Sequence, residues 1–263
     1  MDEQAMQPTA SVTSGPARIQ VTFPVLNEED QLEYSIERTV AFCEANNITL
    51  HEICIADNGS TDRTPEIGRT LAERHRNVTY LRVERRGFGL ALKTAWERSD
   101  ADFVGYMDVD LATDLRHLKE VHDLVARRAG YDLYLGSRLL PGASVRKRTL
   151  LRGFTSRAFN TLLRLRLDVS FTDAMCGFKF IDRNLYRRLA AEFDFTDDWF
   201  FATQLAVRAE WRGARVLDIP VDWTDQPNSK SSARLLNLSL LYLSGIEALK
   251  EEKRRIRSSM PAR

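Results

Sequence analysis

The chain has 263 residues, 43% of them hydrophobic and 29% charged, and its 38 basic and 37 acidic side chains leave a formal charge of +1. That length holds one large domain with a substantial core, and the near-neutral balance argues against nucleic acid as the main partner. Cys43, Cys54 and Cys176 are far apart, odd in number and without metal-site spacing, so they read as buried thiols in a reducing compartment, and no apolar run reaches the roughly 18 residues that span a bilayer.

Residues 1–17, rich in Ser, Thr, Pro, Gly and Gln, are expected to form a disordered leader without a signal segment. Residues 19–25 are a short apolar strand, and 29–46 a helix with Leu32, Ile36, Val40 and Cys43 on one face. A strand at 53–56 runs into the turn 57–62, which ends at a helix over 64–74 for which Asp62 is the N-cap. Residues 78–83 are a third strand, 89–99 a helix, 103–107 a fourth strand, 117–128 a helix and 131–136 a further strand. Strands alternating with helices imply an α/β domain with a mostly parallel, Rossmann-like sheet covered on both faces.

After Arg138 the pattern changes. Residues 141–147 read as a flexible basic loop, 149–167 as an Arg-rich helix, 176–181 as a strand, 199–211 as a helix and 216–223 as a last strand. A final helix over 233–250 places Leu235, Leu238, Tyr242, Ile246 and Leu249 along one face, followed by Lys253, Arg254, Arg255 and Arg257. That face either lies in a membrane interface, with 233–257 as the contact, or covers the sheet. The expected organisation is a domain over 18–231, divided into an alternating α/β half at 18–138 and a mixed half at 139–231, with 232–263 as helix and basic tail.

Asp108-Val109-Asp110 stands where the fourth strand ends. Carboxylates at the carboxyl end of a parallel strand lie in the crevice where open α/β sheets bind ligands. A divalent cation with hard-oxygen preference, Mg²⁺ or Mn²⁺, bound there by Asp108 and Asp110 bridges to substrate phosphates. By itself the pair also fits a helix cap or a solvated turn. Arg86-Gly87-Phe88-Gly89 puts bare backbone at a helix N-terminus, where phosphate binds. Asp57, at the end of the second strand, is placed to hold a base or ribose. His51, His75, His117 and His122 are scattered, and none is expected to be a ligand.

With these segments in order, the chain resembles family 2 glycosyltransferases of the GT-A fold over about residues 19–230. Phe23-Pro24-Val25-Leu26-Asn27-Glu28-Glu29 looks like the family's nucleotide-receiving motif, and Ala56-Asp57-Asn58-Gly59-Ser60-Thr61-Asp62 like its second motif. Asp108-Val109-Asp110 with Leu111-Ala112-Thr113-Asp114 is similar to the dolichyl-phosphate glucosyltransferase branch. Gly136-Ser137-Arg138, then Arg152, Ser156 and Asn160, Asp173 to Lys179, and Ser229-Lys230 continue the likeness to polyprenyl-phosphate sugar transferases.

The resemblance makes 18–138 the nucleotide-sugar half and 139–231 the acceptor half, and it implies nucleotide-sugar binding by Pro24, Asn27, Glu28, Asp57, Gly87, Gly89 and Asp108. It implies acceptor-phosphate binding by Arg138, Arg152, Ser156, Ser229 and Lys230, which otherwise read as a solvated basic face. The implied reaction is inverting transfer of a hexosyl group from a nucleotide diphosphate sugar, with a UDP-sugar favoured, to a phosphate-bearing acceptor such as a polyprenyl phosphate. The implied setting is cytoplasmic, or peripheral at the inner membrane face.

Two departures stand out. Phe88 occupies the position of a usual Lys, and Ala202 and Gln204 stand where the family pattern Trp-x-Phe-Asp-x-Glu-Leu carries two acids. A phosphate nucleophile is already ionised and does without a base; otherwise Asp197 or Asp198, together with Arg138, carries catalysis, or the chain is a weakened nucleotide-sugar-binding protein. Transfer to a soluble nucleoside or secondary metabolite is the alternative acceptor reading. A nucleotidyltransferase would want a Gly-rich basic loop after the first strand, where this chain has Leu26-Asn27-Glu28-Glu29-Asp30.

Overall fold

A computed structural model describes residues 17–147, 149–225 and 235–259. The leader up to residue 16, Ser229 and Lys230 lie outside the described residues, as does the side chain of Arg152. In chain order the elements are β1 (Ile19–Val25), α1 (Leu32–Ala45), β2 (Glu52–Asp57), α2 (Thr64–Arg74), β3 (Val78–Arg82) and α3 (Phe88–Arg98). There follow β4 (Phe103–Met107), α4 (Arg116–Ala126), β5 (Leu133–Ser137), β6 (Ser144–Arg146), α5 (Leu150–Leu167) and β7 (Phe178–Asp182). The chain continues with α6 (Arg183–Glu192), α7 (Phe201–Trp211), β8 (Val216–Pro220), β9 (Asp222–Thr224) and α8 (Leu235–Ser259).

Seven strands form one sheet in the order β3-β2-β1-β4-β7-β5-β8. All pairings are parallel except those of β7, which lies antiparallel to both β4 and β5. Successive side chains on a strand point to opposite faces, and the two faces have different covers. Ile19, Val21 and Phe23 of β1 with Ile53 and Ile55 of β2 pack with Leu32, Leu71 and Leu118 of α1, α2 and α4. Cys54, Val104, Tyr106, Leu133 and Leu135 point the other way, into α3 and α5 to α8. Gly105 is required in the middle: a Cβ there would stand 2.1 Å from the Phe180 ring on the neighbouring strand.

Three expectations change. Residues 141–147 hold β6 rather than an irregular loop, and the stretch read as one strand over 216–223 breaks after Pro220, so β8 joins the main sheet while β9 pairs with β6. Val221 is the handover: its N–H makes the last bond to β5, donating to Ser137 O at 3.0 Å, and its carbonyl accepts the Ser144 N–H at the start of β6 at 3.2 Å. After β7 the structure adds helix α6, which Asp182 caps by accepting the Leu185 N–H at 2.7 Å. The stripe Tyr242, Ile246 and Leu249 of α8 is buried in the core against α5 and α7, so in the described part this face is a cover and is not offered to a membrane. Among the described residues no helix is long and apolar enough to cross a bilayer. All three cysteines are buried and unpaired.

Candidate active site

The chain runs outward from β1 through β2 to β3, then returns to place β4 on β1's other side, so the sheet order reverses between β1 and β4. The carboxyl ends flanking such a reversal bound a crevice. β1 pairs with β4 only as far as Thr22↔Tyr106 but with β2 as far as Val25↔Asp57, which leaves Pro24 beyond the end of the β4 ladder. Asn27 turns the chain with a left-handed φ of 56°, tolerable for Asn. Its N–H donates to Ser60 Oγ at 2.9 Å, its Oδ1 accepts the Thr61 N–H at 2.8 Å, and the Glu28 N–H donates to Thr64 Oγ1 at 2.8 Å. Asp62 ties the same loops, accepting the N–H groups of Thr64 and Glu29. Asp57 is fully buried, and its carboxylate accepts the Ser60 N–H at 2.9 Å, the Tyr80 hydroxyl at 2.6 Å and Arg82 Nη1 at 2.9 Å.

Gly87 and Gly89 open α3, with the Gly87 N–H donating to Asn58 Oδ1. Added Cβ atoms would stand 2.7 Å from Asp197 O at Gly87 and 2.6 Å from Thr196 O at Gly89. The glycines thus admit the backbone of residues 196–198, and the Leu90 N–H donates to Asp197 O at 3.2 Å. Phe88 is buried, stacked on Trp199 with centroids 4.0 Å apart and edge-on to Tyr106 at 5.5 Å.

Asp108 leaves β4 beside the segment entering β7, because the antiparallel pairing puts Phe178 opposite Met107. The Asp108 N–H donates to Gly177 O, and the Leu111 N–H closes a turn onto Asp108 O, both at 3.1 Å. Leu111 has φ of 48°, a conformation that costs a branched side chain of order 1–3 kcal/mol and marks functional turns. Desolvation first, then the Asp110 charge, raises the Asp108 carboxyl well above its ordinary value, with Lys179 and Arg138 pulling it down. Burial likewise raises Asp110, which accepts the Ala112 N–H at 3.0 Å. Two half-buried carboxylates that resist ionising together are a hard-oxygen donor set suited to a divalent cation. Among the described residues no group of three His, Cys, Asp or Glu is gathered to hold one.

Behind the pair, Arg138 forks onto Asp173 (Nε to Oδ2 2.8 Å, Nη2 to Oδ1 3.0 Å), both groups being buried. Burial pushes Asp173 up, but the guanidinium outweighs it and holds the carboxyl below the usual range. Lys179, buried, donates to Cys176 O and lies 5.8 Å from the Tyr106 ring centroid. Ser156 is buried and its hydroxyl has no partner; Asn160, one turn on, accepts the Ala174 N–H at 2.8 Å. The side chains of Arg138, Asp173 and Lys179 therefore meet near Asp108, an association of residues 71 positions apart that spacing does not reveal. Lys179 and Asp173 both belong to the segment 173–179, where nothing in their spacing marks them for this cluster.

The segment before α7 is committed to structure. Asp197 is gripped by Lys93 and Arg85, each at 2.6 Å, which hold its carboxyl below the ordinary value, the Lys93 hydrogen bond first. Asp198 accepts the Phe200 N–H at 2.7 Å and the Thr196 hydroxyl at 3.1 Å. Gln204 Oε1 accepts the Thr196 N–H at 2.9 Å, and Ala202 is packed in the core. His117 is also structural: its Nε2 accepts the Asp222 N–H at 2.9 Å.

The model of the family described as Glycosyl transferase family 2 matches residues 21–190. The chain is 37% identical over 223 residues to glycosyltransferase AglD of Haloferax volcanii, covering 84% of this chain and 35% of that protein. It is 26% identical to the dolichyl-phosphate beta-glucosyltransferase ALG5C of Trichomonas vaginalis, with 90% and 76% covered. Among solved structures, glucosyl-3-phosphoglycerate synthase of Mycobacterium tuberculosis with uridine diphosphate superimposes with a TM-score of 0.67 at 18% identity, covering 90% and 81% of the two chains. The same enzyme with Mn²⁺, uridine diphosphate and glucosyl-3-phosphoglycerate gives 0.59 at 17%, covering 84% and 76%. These likenesses establish the GT-A fold.

Proposed function

The chain belongs to glycosyl transferase family 2, and on that premise we propose that it moves a hexosyl group, with inversion, from a nucleotide diphosphate sugar to a phosphate-bearing acceptor such as a polyprenyl phosphate. The observation that carries this reading is the half-buried Asp108 and Asp110 pair at the sheet's switch point, both carboxyls raised by desolvation and Asp108 further by the Asp110 charge. Pro24, Asn27 and Glu28 offer backbone to the base, Asp57 braces their loop through Ser60 and Arg82, and Gly87 and Gly89 flank the diphosphate. A UDP-sugar donor and a divalent cation, Mg²⁺ or Mn²⁺, are in keeping with the complexes of the structural neighbours.

Asp108 and Asp110 would hold the cation, which when bound offsets charge developing on the leaving diphosphate. An acceptor phosphate oxygen attacks the anomeric carbon from the face opposite the diphosphate, forming the new C–O bond as the donor's C–O bond breaks. Arg138 and Ser156 orient that phosphate, aided by Arg152, while Asp173 holds Arg138 in place. No carboxylate in the 196–204 segment suits proton abstraction at neutral pH: Asp197 is locked by two cations and Asp198 is spent on Phe200 and Thr196. An ionised phosphate acceptor removes that need, which supports it over a soluble hydroxyl acceptor.

The test is transfer from UDP-glucose to a polyprenyl phosphate with Mn²⁺, Mg²⁺ or chelator, the product's anomeric configuration being read by NMR. A β-linked hexosyl phosphate formed only with metal is expected. Absence of transfer from every nucleotide sugar tried, by folded protein that also fails to bind UDP with metal, overturns the reading.

A further inference from the structure

Beside the metal turn, three short segments form a patch of sheet. Thr113 bridges Trp223 in antiparallel fashion, and β9 pairs with β6 through Ser144↔Asp222, Val145↔Trp223 and Arg146↔Thr224. The Thr224 N–H donates to Ala112 O at 2.8 Å and the Asp114 N–H to Asp222 O at 3.0 Å. Side chains alternate across such a patch. Thr113 and Trp223 are buried on one face, and Val145 packs on the same core. The other face presents Ala112, Asp114, Ser144, Arg146, Asp222 and Thr224, and it floors a cavity of about 370 Å³. Leu111 and Arg116 close its rim, Trp223 also borders it, and neither Asp108 nor Asp110 lines it.

The lining chemistry selects a ligand class. Asp114 and Asp222 balance Arg116 and Arg146, and Arg116 is already paired with Asp222. An anion would meet two carboxylates and a cation two guanidinium groups, so neither charge sign is favoured. Among the described residues the hydroxyls of Ser144 and Thr224 and the guanidinium of Arg146 have no hydrogen-bond or ion-pair partner. Asp114 uses one carboxylate oxygen on the Arg116 N–H at 2.9 Å. A floor that mixes donors, acceptors and two-way hydroxyls, predominantly polar with some apolar surface, matches a polyol whose every hydroxyl both donates and accepts. We propose that this cavity is a second saccharide site, taking a neutral hexose unit beside the metal turn and outside the nucleotide-sugar crevice. It stands on the cavity alone and is independent of the transfer reaction proposed above.

The test is ligand-observed NMR titration of the full chain with methyl glucoside, methyl mannoside and maltotriose, without nucleotide and with saturating UDP and Mn²⁺. Saturable binding that survives UDP is expected, with Ser144→Leu, which fills the cavity, and Arg146→Ala each weakening it about tenfold or more. Both variants should bind UDP with Mn²⁺ as the parent does. Arg146 is exposed, so its truncation leaves folding intact even if Ser144→Leu does not. Absence of saturable binding by all three probes, or equal binding by the Arg146→Ala variant, overturns the proposal. Displacement of the glycoside by UDP-glucose but not by UDP also overturns it, since the sugar would then occupy the donor's own hexose position. UDP binding without glycoside binding defeats this inference alone, whereas the reverse defeats the function proposed above.

Discussion

Gly177→Ala separates the metal turn from the rest of the fold. A Cβ built at Gly177 falls 1.8 Å from Asp108 Oδ2, 2.1 Å from Cγ and 2.3 Å from Oδ1, so it overlaps the whole carboxylate. The shortest of these has to open to at least 3.0 Å, a displacement of about 1.2 Å. The backbone cannot yield easily, because the Asp108 N–H is bonded to Gly177 O and Phe178 is paired with Met107. The side chain therefore moves, and disturbing the support of a metal ligand typically costs about 10- to 100-fold in metal affinity, roughly 1.4 to 2.7 kcal/mol. Overpacking adds a stability loss of about 1–3 kcal/mol. Calorimetric titration of UDP with Mn²⁺ and with chelator, beside urea unfolding, reads both quantities. Gly153→Ala is the control: its Cβ would find only the Arg157 guanidinium at 3.6 Å, and a helical Gly→Ala change is neutral or stabilising. A folded Gly177→Ala protein with parental metal-dependent UDP affinity would refute the assignment of Asp108 to the ion.

Arg138→Met leaves the Asp173 carboxylate buried and unpaired, and urea unfolding at pH 7 should show a loss of about 3–5 kcal/mol. Because Asp173 is held below its ordinary value of 3.8, that contribution is complete above pH ~4 and fades as pH falls through the folded-state value, so the difference from the parent should shrink in acid. Asp108 has the opposite sign. Its carboxyl is raised in the fold, so without metal the unfolded chain releases the proton first and stability falls as pH climbs from 3.8 towards neutrality. Asp108→Asn should flatten that slope in thermal unfolding with chelator, raise Tm at pH 7 and abolish metal-dependent UDP binding. An unchanged slope would show that Asp108 is not the group responsible. Asp182→Ala removes the α6 cap and should cost about 1 kcal/mol in urea unfolding with little change in UDP affinity.

The alternation of strands and helices was legible because periodicity is written locally, and Asp57 and Asp108 are at strand ends that the apolar runs mark. The signals for α6 are also local, Asp182 as cap followed by Leu185, Tyr186 and Leu189, but the interleaved Arg183, Arg187 and Arg188 obscure their period. The break between β8 and β9 follows from the pairing of β9 with β6, which joins residues about eighty positions apart and has no local mark. The substitutions at 202 and 204 were visible, but the hydrogen bonds from Thr196 to Gln204 were not.

The sequence by itself determined the order of elements, the family likeness and the positions of the carboxylates at the crevice, since each depends on neighbours within a few residues. Only the tertiary structure decided which charges were already committed. Arg138 reads as a lone cation until Asp173, 35 positions on, is found holding its Nε and Nη2, and Asp197 reads as a base until Lys93 and Arg85 close on it. The apolar stripe of α8 likewise reads equally as a membrane face or a cover for the sheet until Tyr242 is found packed between Phe159 and Phe200. Hydrophobic period is a property of a segment, whereas charge pairing and burial belong to groups that meet only when the chain has folded.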